Sequence, residues 1–563
     1  MENLEFSPQR TVMSFRRYLL NTVLPIICYG GIVGSLVGVI VWAYNFAAEK
    51  ISETTLEIYT YVGQKLYFLP LLLLGLIALA FIVWVIIKII PEIKGSGIPY
   101  TEGVMRGQIK YRTIHVFIGT ILNSFISFFA GLPLGGEGPS VQVGGVIGQG
   151  VDQVFEKVDP RAKAFNRLAI TGGASAGLAV AFNAPLTGII FALEEGHKRF
   201  SPSIFLTSAS SVLFATLISR LLRLATTGTF SGYFMFKMVD LESIPLNNLW
   251  MLLILGILIG LAAALFSKIQ VVTKVLLDKF KIPTLARLIV AFVLVGIIGV
   301  FLTDILGGGS GLIKKIAALD FTWQMLLLLL VIKLFLIAIC SNSGTTGGLF
   351  VPMLAIGALF GGLFGHLFMA MGMEEVYYRT MVIISMSAFM GGVVRAPLTA
   401  MVLIAEVTGS LMSGFFETGI VICLAYFTVE LLDIQPLYDT LLEGTLYQLH
   451  KGQERKIVTF EINIEDGSFA AGRAIRDILW PSGCIVQKIV KMNKEGQIVS
   501  RMDKDGERLI HAGDVYIIQA ETYNEEELRE QLDCLVLNPK TVKIKKQKSG
   551  NYIRNFSNTF RFW

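Results

Sequence analysis

Ala184-Pro185-Leu186-Thr187 returns as Ala396-Pro397-Leu398-Thr399, an offset of 212 from Pro185 to Pro397. Around it the match continues. Ser175-Ala176 stands against Ser387-Ala388 and Glu194 against Glu406, while Pro139 falls opposite Pro352, and Gly144 and Gly148 opposite Gly357 and Gly361, at an offset of 213. Correspondence at so constant a spacing marks two halves of common ancestry, roughly 15–222 and 249–433.

The halves are apolar. A chain of 563 residues that is 53% hydrophobic and 16% charged, with mean hydropathy +0.64, is excluded from the soluble multidomain enzymes and reads as a polytopic membrane protein. Apolar segments lie near 19–44, 68–90, 113–134, 168–193, 204–222, 249–266, 285–306, 325–340, 350–371, 381–407 and 414–432. Several fall short of the ~20 residues that cross hydrocarbon and many carry Gly, so the spacing predicts broken and re-entrant helices. A repeat of broken helices is the pattern of secondary transporters, with sites near the membrane midplane. Arg10, Arg16 and Arg17 precede the first segment without a small-residue cleavage site, which predicts a retained span and a cytoplasmic N-terminus.

Cys28, Cys340, Cys423, Cys484 and Cys534 have no paired spacing and the five histidines are scattered, so neither a metal nor a cofactor is expected. The basic tail, 538–563, reads as a solvated or membrane-lipid-facing segment and not as a binder of nucleic acid polymers. Before it, alternating runs at Ile457 to Ile464, Cys484 to Val490, Gln497 to Ser500 and Val515 to Ala520, then a charged helix at Asn524 to Leu532, predict a small α+β domain.

Four strings carry the chemistry: Gly95-Ser96-Gly97-Ile98-Pro99, Gly135-Gly136-Glu137-Gly138-Pro139, Gly347-Gly348-Leu349-Phe350-Val351-Pro352 and Pro436-Leu437-Tyr438. In the first three, Gly precedes Pro and an apolar run, the mark of a helix start with bare backbone N–H groups, and such starts attract anions. Ser96 offers a hydroxyl from a loop whose backbone approaches a ligand closely. Glu137 is either a fixed cap or a carboxylate that fills an anion site when charged and leaves it when protonated. Phe350 holds the repeat position of Glu137, so of two equivalent helix starts one is acidic. Glu194 and Glu195 end an apolar run. Glu194 has the counterpart Glu406 and reads as scaffold. Glu195 faces Val407 in the repeat and reads as proton-handling, against the plainer reading of a solvated helix end beside Lys198 and Arg199. Tyr438 is an interfacial anchor or a hydroxyl donor.

These strings, in this order, resemble the CLC family of chloride channels and chloride/proton exchangers over roughly residues 15–445. The resemblance implies an all-α polytopic membrane fold, an inverted repeat of tilted, broken helices within a transport domain at 1–449, a homodimer with one pore per subunit, and both termini cytoplasmic at the cell membrane of a bacterium. By motif, Ser96 and Tyr438 would donate hydroxyls to a central chloride, completed by the N–H groups of Leu349 and Phe350. Glu137 would be the external gating glutamate, competing with chloride at an outer site made by N–H groups near Gly136 to Gly138 and Leu349 to Val351. Glu195 would match the internal glutamate that passes protons in many exchangers. Neutral donors suit weak, fast halide binding. Gly136 departs from the Lys or Arg common in the family, which weakens the attraction for chloride there. The segment 455–537 resembles a TrkA-C (RCK-C) domain through Gly472-Arg473-Ala474-Ile475, Gly483-Cys484-Ile485-Val486 and Ala512-Gly513-Asp514-Val515-Tyr516, which implies a small regulatory ligand such as a cyclic dinucleotide.

The expectation is therefore a chloride/proton antiporter that is not an enzyme. A passive voltage- or ligand-gated chloride channel is the alternative, which an exchange assay separates. A membrane-tethered effector sensor with an inactive pore is opposed by intact pore strings. An intramembrane enzyme needs a nucleophile with a base, or a metal cluster, and none surrounds Ser96.

Overall fold

The computed structural model describes Leu19, residues 23–229, 235–236, 241–410, 414–492, 498–502, 506 and 508–538. The N-terminal arginines and nearly all of the basic tail lie outside these residues.

The first half runs through α1 (Leu24–Gln64), α2 (Leu69–Ile89), α3 (Ile98–Met105), α4 (Thr113–Phe129), α5 (Glu137–Val158), α6 (Asn166–Phe182), α7 (Pro185–Phe191) and α8 (Pro202–Thr227), with a π turn at Ala192–Gly196 directly after α7. The second follows as α9 (Leu249–Lys279), α10 (Thr284–Phe301), α11 (Ser310–Ala317), α12 (Trp323–Ser343), α13 (Phe350–Ala370), α14 (Tyr378–Val394), α15 (Pro397–Thr408) and α16 (Phe415–Leu431), and α17 (Leu437–Leu449) closes the helical part. Among the described residues eight helical segments are long and apolar enough to cross a membrane. The others are shorter or less apolar, and α3, α7 and α15 among them are the short helices that the Gly and Pro interruptions predict.

The repeat is kept in the elements. α5 and α13 begin 213 residues apart, α6 and α14 as well as α7 and α15 212 apart, and each of α7 and α15 opens on its Pro. α3 and α11 are likewise 212 apart, so Gly307-Gly308-Gly309 is the counterpart of Gly95-Ser96-Gly97, a correspondence absent from the expectations above. Small residues let the equivalent pairs pack backbone to backbone. A Cβ on Gly144 of α5 would strike the Gly173 carbonyl of α6, and one on Gly173 would strike the Gly144 carbonyl; in the second half Gly357 of α13 has the Met386 Cα 2.7 Å from its Cβ position. One apolar core runs through both halves, from Leu76 to Leu446.

After α17 the chain leaves this core for an antiparallel sheet of β1 (Lys456–Asn463), β2 (Ile485–Met492), β3 (Ile498–Met502) and β4 (Asp514–Thr522), in the order β1-β4-β2-β3. β1 pairs with β4 from Lys456↔Thr522 to Asn463↔Val515. α18 (Glu525–Val536) packs Leu528 and Leu532 into a separate core with Phe460, Ile462, Tyr516 and Ile518. Asn524 caps it by accepting from Glu526 N at 3.1 Å and Glu527 N at 3.3 Å.

Candidate functional site

The three glycine strings, separate in sequence, are tied together in space. Gly135 N donates to Gly348 O at 2.9 Å and Gly348 N to Gly135 O at 2.7 Å; Gly95 N donates to Thr345 O at 3.1 Å and Gly347 N to Gly95 O at 3.2 Å. Buried polar groups of α4 hold the loops from behind. Asn123 donates to Thr346 Oγ1 at 2.7 Å, and Ser127 Oγ pairs with Thr345 Oγ1 at 2.7 Å. These pairings face the starts of α5 and α13 toward each other.

Glu137 lies at that junction, 3% exposed. Its Oε1 accepts from Val351 N at 3.1 Å, and the N–H groups of Phe350 and of Glu137 itself also reach the carboxylate. The fit requires glycine on both sides: a Cβ on Gly135 or Gly348 would lie 2.6 Å from the carboxyl carbon. A carboxylate is thus held by neutral backbone donors of both halves, each such bond contributing about 1.5–3 kcal/mol. Gly136 faces an aromatic wall, with Phe128 Cζ 3.5 Å and the Tyr44 hydroxyl 3.8 Å from its Cβ position.

Ser96 and Tyr438 come together beside this junction. Both hydroxyls are buried and within reach of each other, and among the described residues no third group bonds to either. Buried donors left in this way are costly unless a ligand satisfies them. The Phe350 ring orients the phenol, 5.7 Å from the Tyr438 ring and 6.2 Å edge-on from Phe182. Leu349 is the residue before α13, so its N–H and that of Phe350 belong to the open helix start.

Glu195 is elsewhere, on the π turn at the face that meets the sheet domain. It is 1% exposed, and among the described residues its carboxyl meets no partner other than the neighbouring Glu102 carboxyl. Beside it stands Glu102 of α3, fully buried, with Oε1 also unpartnered. Arg106 ties the group: it donates to Glu195 O and Gly196 O at 2.9 Å each, and approaches Glu102 at 3.4 Å and Asp439 at 3.3 Å. Lys198 pairs with Asp439. The Tyr438 hydroxyl is within electrostatic reach of Glu137, Glu195 and Glu102.

Glu194, next to Glu195, does something different. Its carboxylate accepts from Leu398 N at 3.0 Å and from Thr399 N and Oγ1 at 2.6 and 2.7 Å. Glu406 returns the contact, accepting from Leu186 N at 2.9 Å and from Thr187 N and Oγ1 at 2.8 and 2.7 Å. Each half supplies the carboxylate that caps the other half's Ala-Pro-Leu-Thr helix.

Four charged groups here, Asp439 among them, are absent from the sequence expectations. Glu102 and Arg106 carried a signal in hindsight, being an acid and a base four apart just after the Ser96 string. Lys333, fully buried in the run 325–340, donates to Ile305 O at 3.1 Å and Gly307 O at 3.2 Å. An ionisable group inside an apolar span was its signal.

Residues 75–430, more than half of the chain, match the family model described as voltage gated chloride channel. The chain belongs to that family. Within the voltage-gated chloride channel family it is 31% identical over 450 residues, 77% of this chain and 92% of the relative, to the H(+)/Cl(-) exchange transporter ClcA of Salmonella paratyphi B. It is 31% identical over 476 residues, 81% of this chain and 97% of the relative, to that of Salmonella schwarzengrund. Among solved structures it resembles a slow cyanobacterial Cl-/H+ antiporter with TM-score 0.67 and 28% identity, covering 76% of this chain and 99% of the other. A eukaryotic CLC transporter shares the fold at TM-score 0.62 and 21% identity, covering 76% and 74%. The family match ends before β1, so the sheet domain lies outside it.

Proposed function

We propose that this protein exchanges chloride for protons across a cell membrane. The observation that carries the reading is the junction of the two helix starts: the Glu137 carboxylate occupies a set of backbone N–H donors from both halves, beside the unpartnered hydroxyls of Ser96 and Tyr438. Such donors suit an anion whether it is a carboxylate or a halide, so chloride and Glu137 compete for them. Protonation removes the charge that holds Glu137 in place, which links proton binding to release of the outer site. The Ser96 and Tyr438 hydroxyls with the N–H groups of Leu349 and Phe350 hold the central chloride, and N–H groups near Gly136, Gly138 and Val351 hold the outer one. Glu195 delivers the proton from the sheet-domain face. Exchange activity in the similar ClcA proteins and in the cyanobacterial antiporter supports the assignment over a passive channel.

In this reading the protein is a homodimer with inverted halves and both termini in the cytoplasm. Leu186 and Leu398, at equivalent places in the two halves and about half exposed, supply apolar surface for that contact. The sheet domain is a TrkA-C (RCK-C) module acting as a regulatory appendage that takes a small ligand, a cyclic dinucleotide among the candidates.

Reconstituted protein under a chloride gradient tests the function. A reversal potential that moves with an imposed proton gradient is the expected result; one that follows chloride alone replaces the exchanger by a channel.

A further inference from the structure

The joint between the transport helices and the sheet domain encloses a cavity of about 280 Å³, near the lower end of the ~300–1,000 Å³ usual for small-molecule pockets. Its walls are largely apolar, with Ile109 and Leu168 on the helical side and Phe469 and Leu479 on the sheet side. Arg167 lines it. The guanidinium spends Nε on Met105 O at 2.9 Å and Nη1 on Leu479 O at 2.8 Å, and among the described residues no carboxylate pairs with it; its charged and titratable neighbours include Cys484, Arg199 and His197, and Glu156 lines the cavity as well. The lysines of the same cavity are already paired, Lys110 with Glu527 and Lys163 with Glu530, each at 2.8 Å. A largely buried cation without a counter-charge, set in an apolar chamber, calls for an anion with an apolar body.

The cavity also touches the proton-handling group through one turn. Met105, bonded by Arg167, ends α3. The next residue, Arg106, accepts from Ser482 N at 3.1 Å through its carbonyl while its side chain holds Glu195 O and Gly196 O. Gly107 O then accepts from Gln531 of α18 at 2.9 Å. Whatever engages Arg167 therefore acts one residue away from the group that fixes the Glu195 turn.

We propose that this cavity binds a small amphipathic organic anion, its carboxylate or phosphate at Arg167 and its apolar body against Phe469 and Leu479, and that occupancy alters turnover. The ligand is smaller than a cyclic dinucleotide, and the site lies at the joint and not within the sheet domain. The coupling to turnover rests on the exchange reading given above; the binding does not.

Cys534 lines the cavity, so its alkylation by N-ethylmaleimide in the full chain in lipid nanodiscs, followed by peptide-level mass spectrometry that separates it from the other free cysteines, reads occupancy without reference to transport. Burial holds this thiol above its ordinary value, and labelling is therefore run at alkaline pH. Two probes separate the sources of such an anion: 1-naphthoate from water and decanoate from the bilayer. Either is expected to slow alkylation of Cys534, protection by the first alone indicating a cytosolic ligand and protection by the second alone a lipid-derived one. The neutral 1-naphthalenemethanol is expected to protect about tenfold less well, and Arg167→Gln to lose a similar factor that Arg167→Lys partly restores. Protection by neither acid, equal protection by the alcohol, or full affinity in Arg167→Gln overturns the site. In liposomes from the same preparation the protecting acid is expected to change exchange turnover by about fivefold. A protected cysteine with unchanged turnover overturns the coupling alone, whereas absence of proton-coupled flux without any ligand strikes the exchange reading instead.

Discussion

Glu137 and Glu195 are both buried carboxyls in the first half of the chain, and their surroundings are opposite. Glu137 is gripped by backbone N–H groups from two helix starts. Among the described residues the Glu195 carboxyl meets only a second acid, Glu102. The first environment rewards negative charge, and in the proposed exchange a halide competes for it. The second sets the carboxyl among two other acids, Glu102 and Asp439, and two cations, Lys198 and Arg106. In the proposed exchange the same side chain serves once as an anion plug and once as a proton station, and what differs is what surrounds it.

Substitutions break this contrast with effects that fall in order. Glu137→Gln removes the competing charge and is expected to abolish the response of the reversal potential to a proton gradient while chloride still moves; proton-driven chloride uptake retained in that variant contradicts the plug. Glu195→Val is expected to lower proton flux by about 10²-fold, the range of a lost acid–base group, with chloride movement kept, and undiminished proton transport returns Glu195 to a structural role. Glu102→Gln leaves Glu195 its site but removes the neighbouring acid, and a several-fold drop in proton flux measured against chloride flux is expected. Smaller still, Glu194→Gln and Glu406→Gln each lose a helix cap, for which about 1–2 kcal/mol of stability is expected from denaturation, with the ion-to-proton ratio unchanged.

Reading from sequence worked best where backbone geometry needs a particular residue. The starts of α3, α5 and α13 follow from Gly and Pro because only those residues punctuate an apolar run in this way. The repeat was legible for a similar reason, yet α11 escaped because Ser96 has Gly308 as its counterpart and the hydroxyl is lost. Helix lengths fared less well. α1 continues to Gln64 although the apolar segment near 19–44 ends twenty residues earlier, since charges such as Glu49, Lys50 and Glu53 stop the apolar run without stopping the helix. The Glu102, Arg106 and Glu195 group was not legible as a group, because it forms only when the π turn after α7 packs on the end of α3.

The exchanged caps of Glu194 and Glu406 have a consequence for how the protein is made. Synthesis reaches Leu186 and Thr187 some 220 residues before Glu406, the acceptor their N–H groups finally use. Until Glu406 is made, the opening amides of α7 lack this acceptor. The arrival of the second half completes both at once. Two gene fragments divided after residue 229 and translated together are expected to assemble, whereas the first fragment alone is expected to be cleared by membrane quality control.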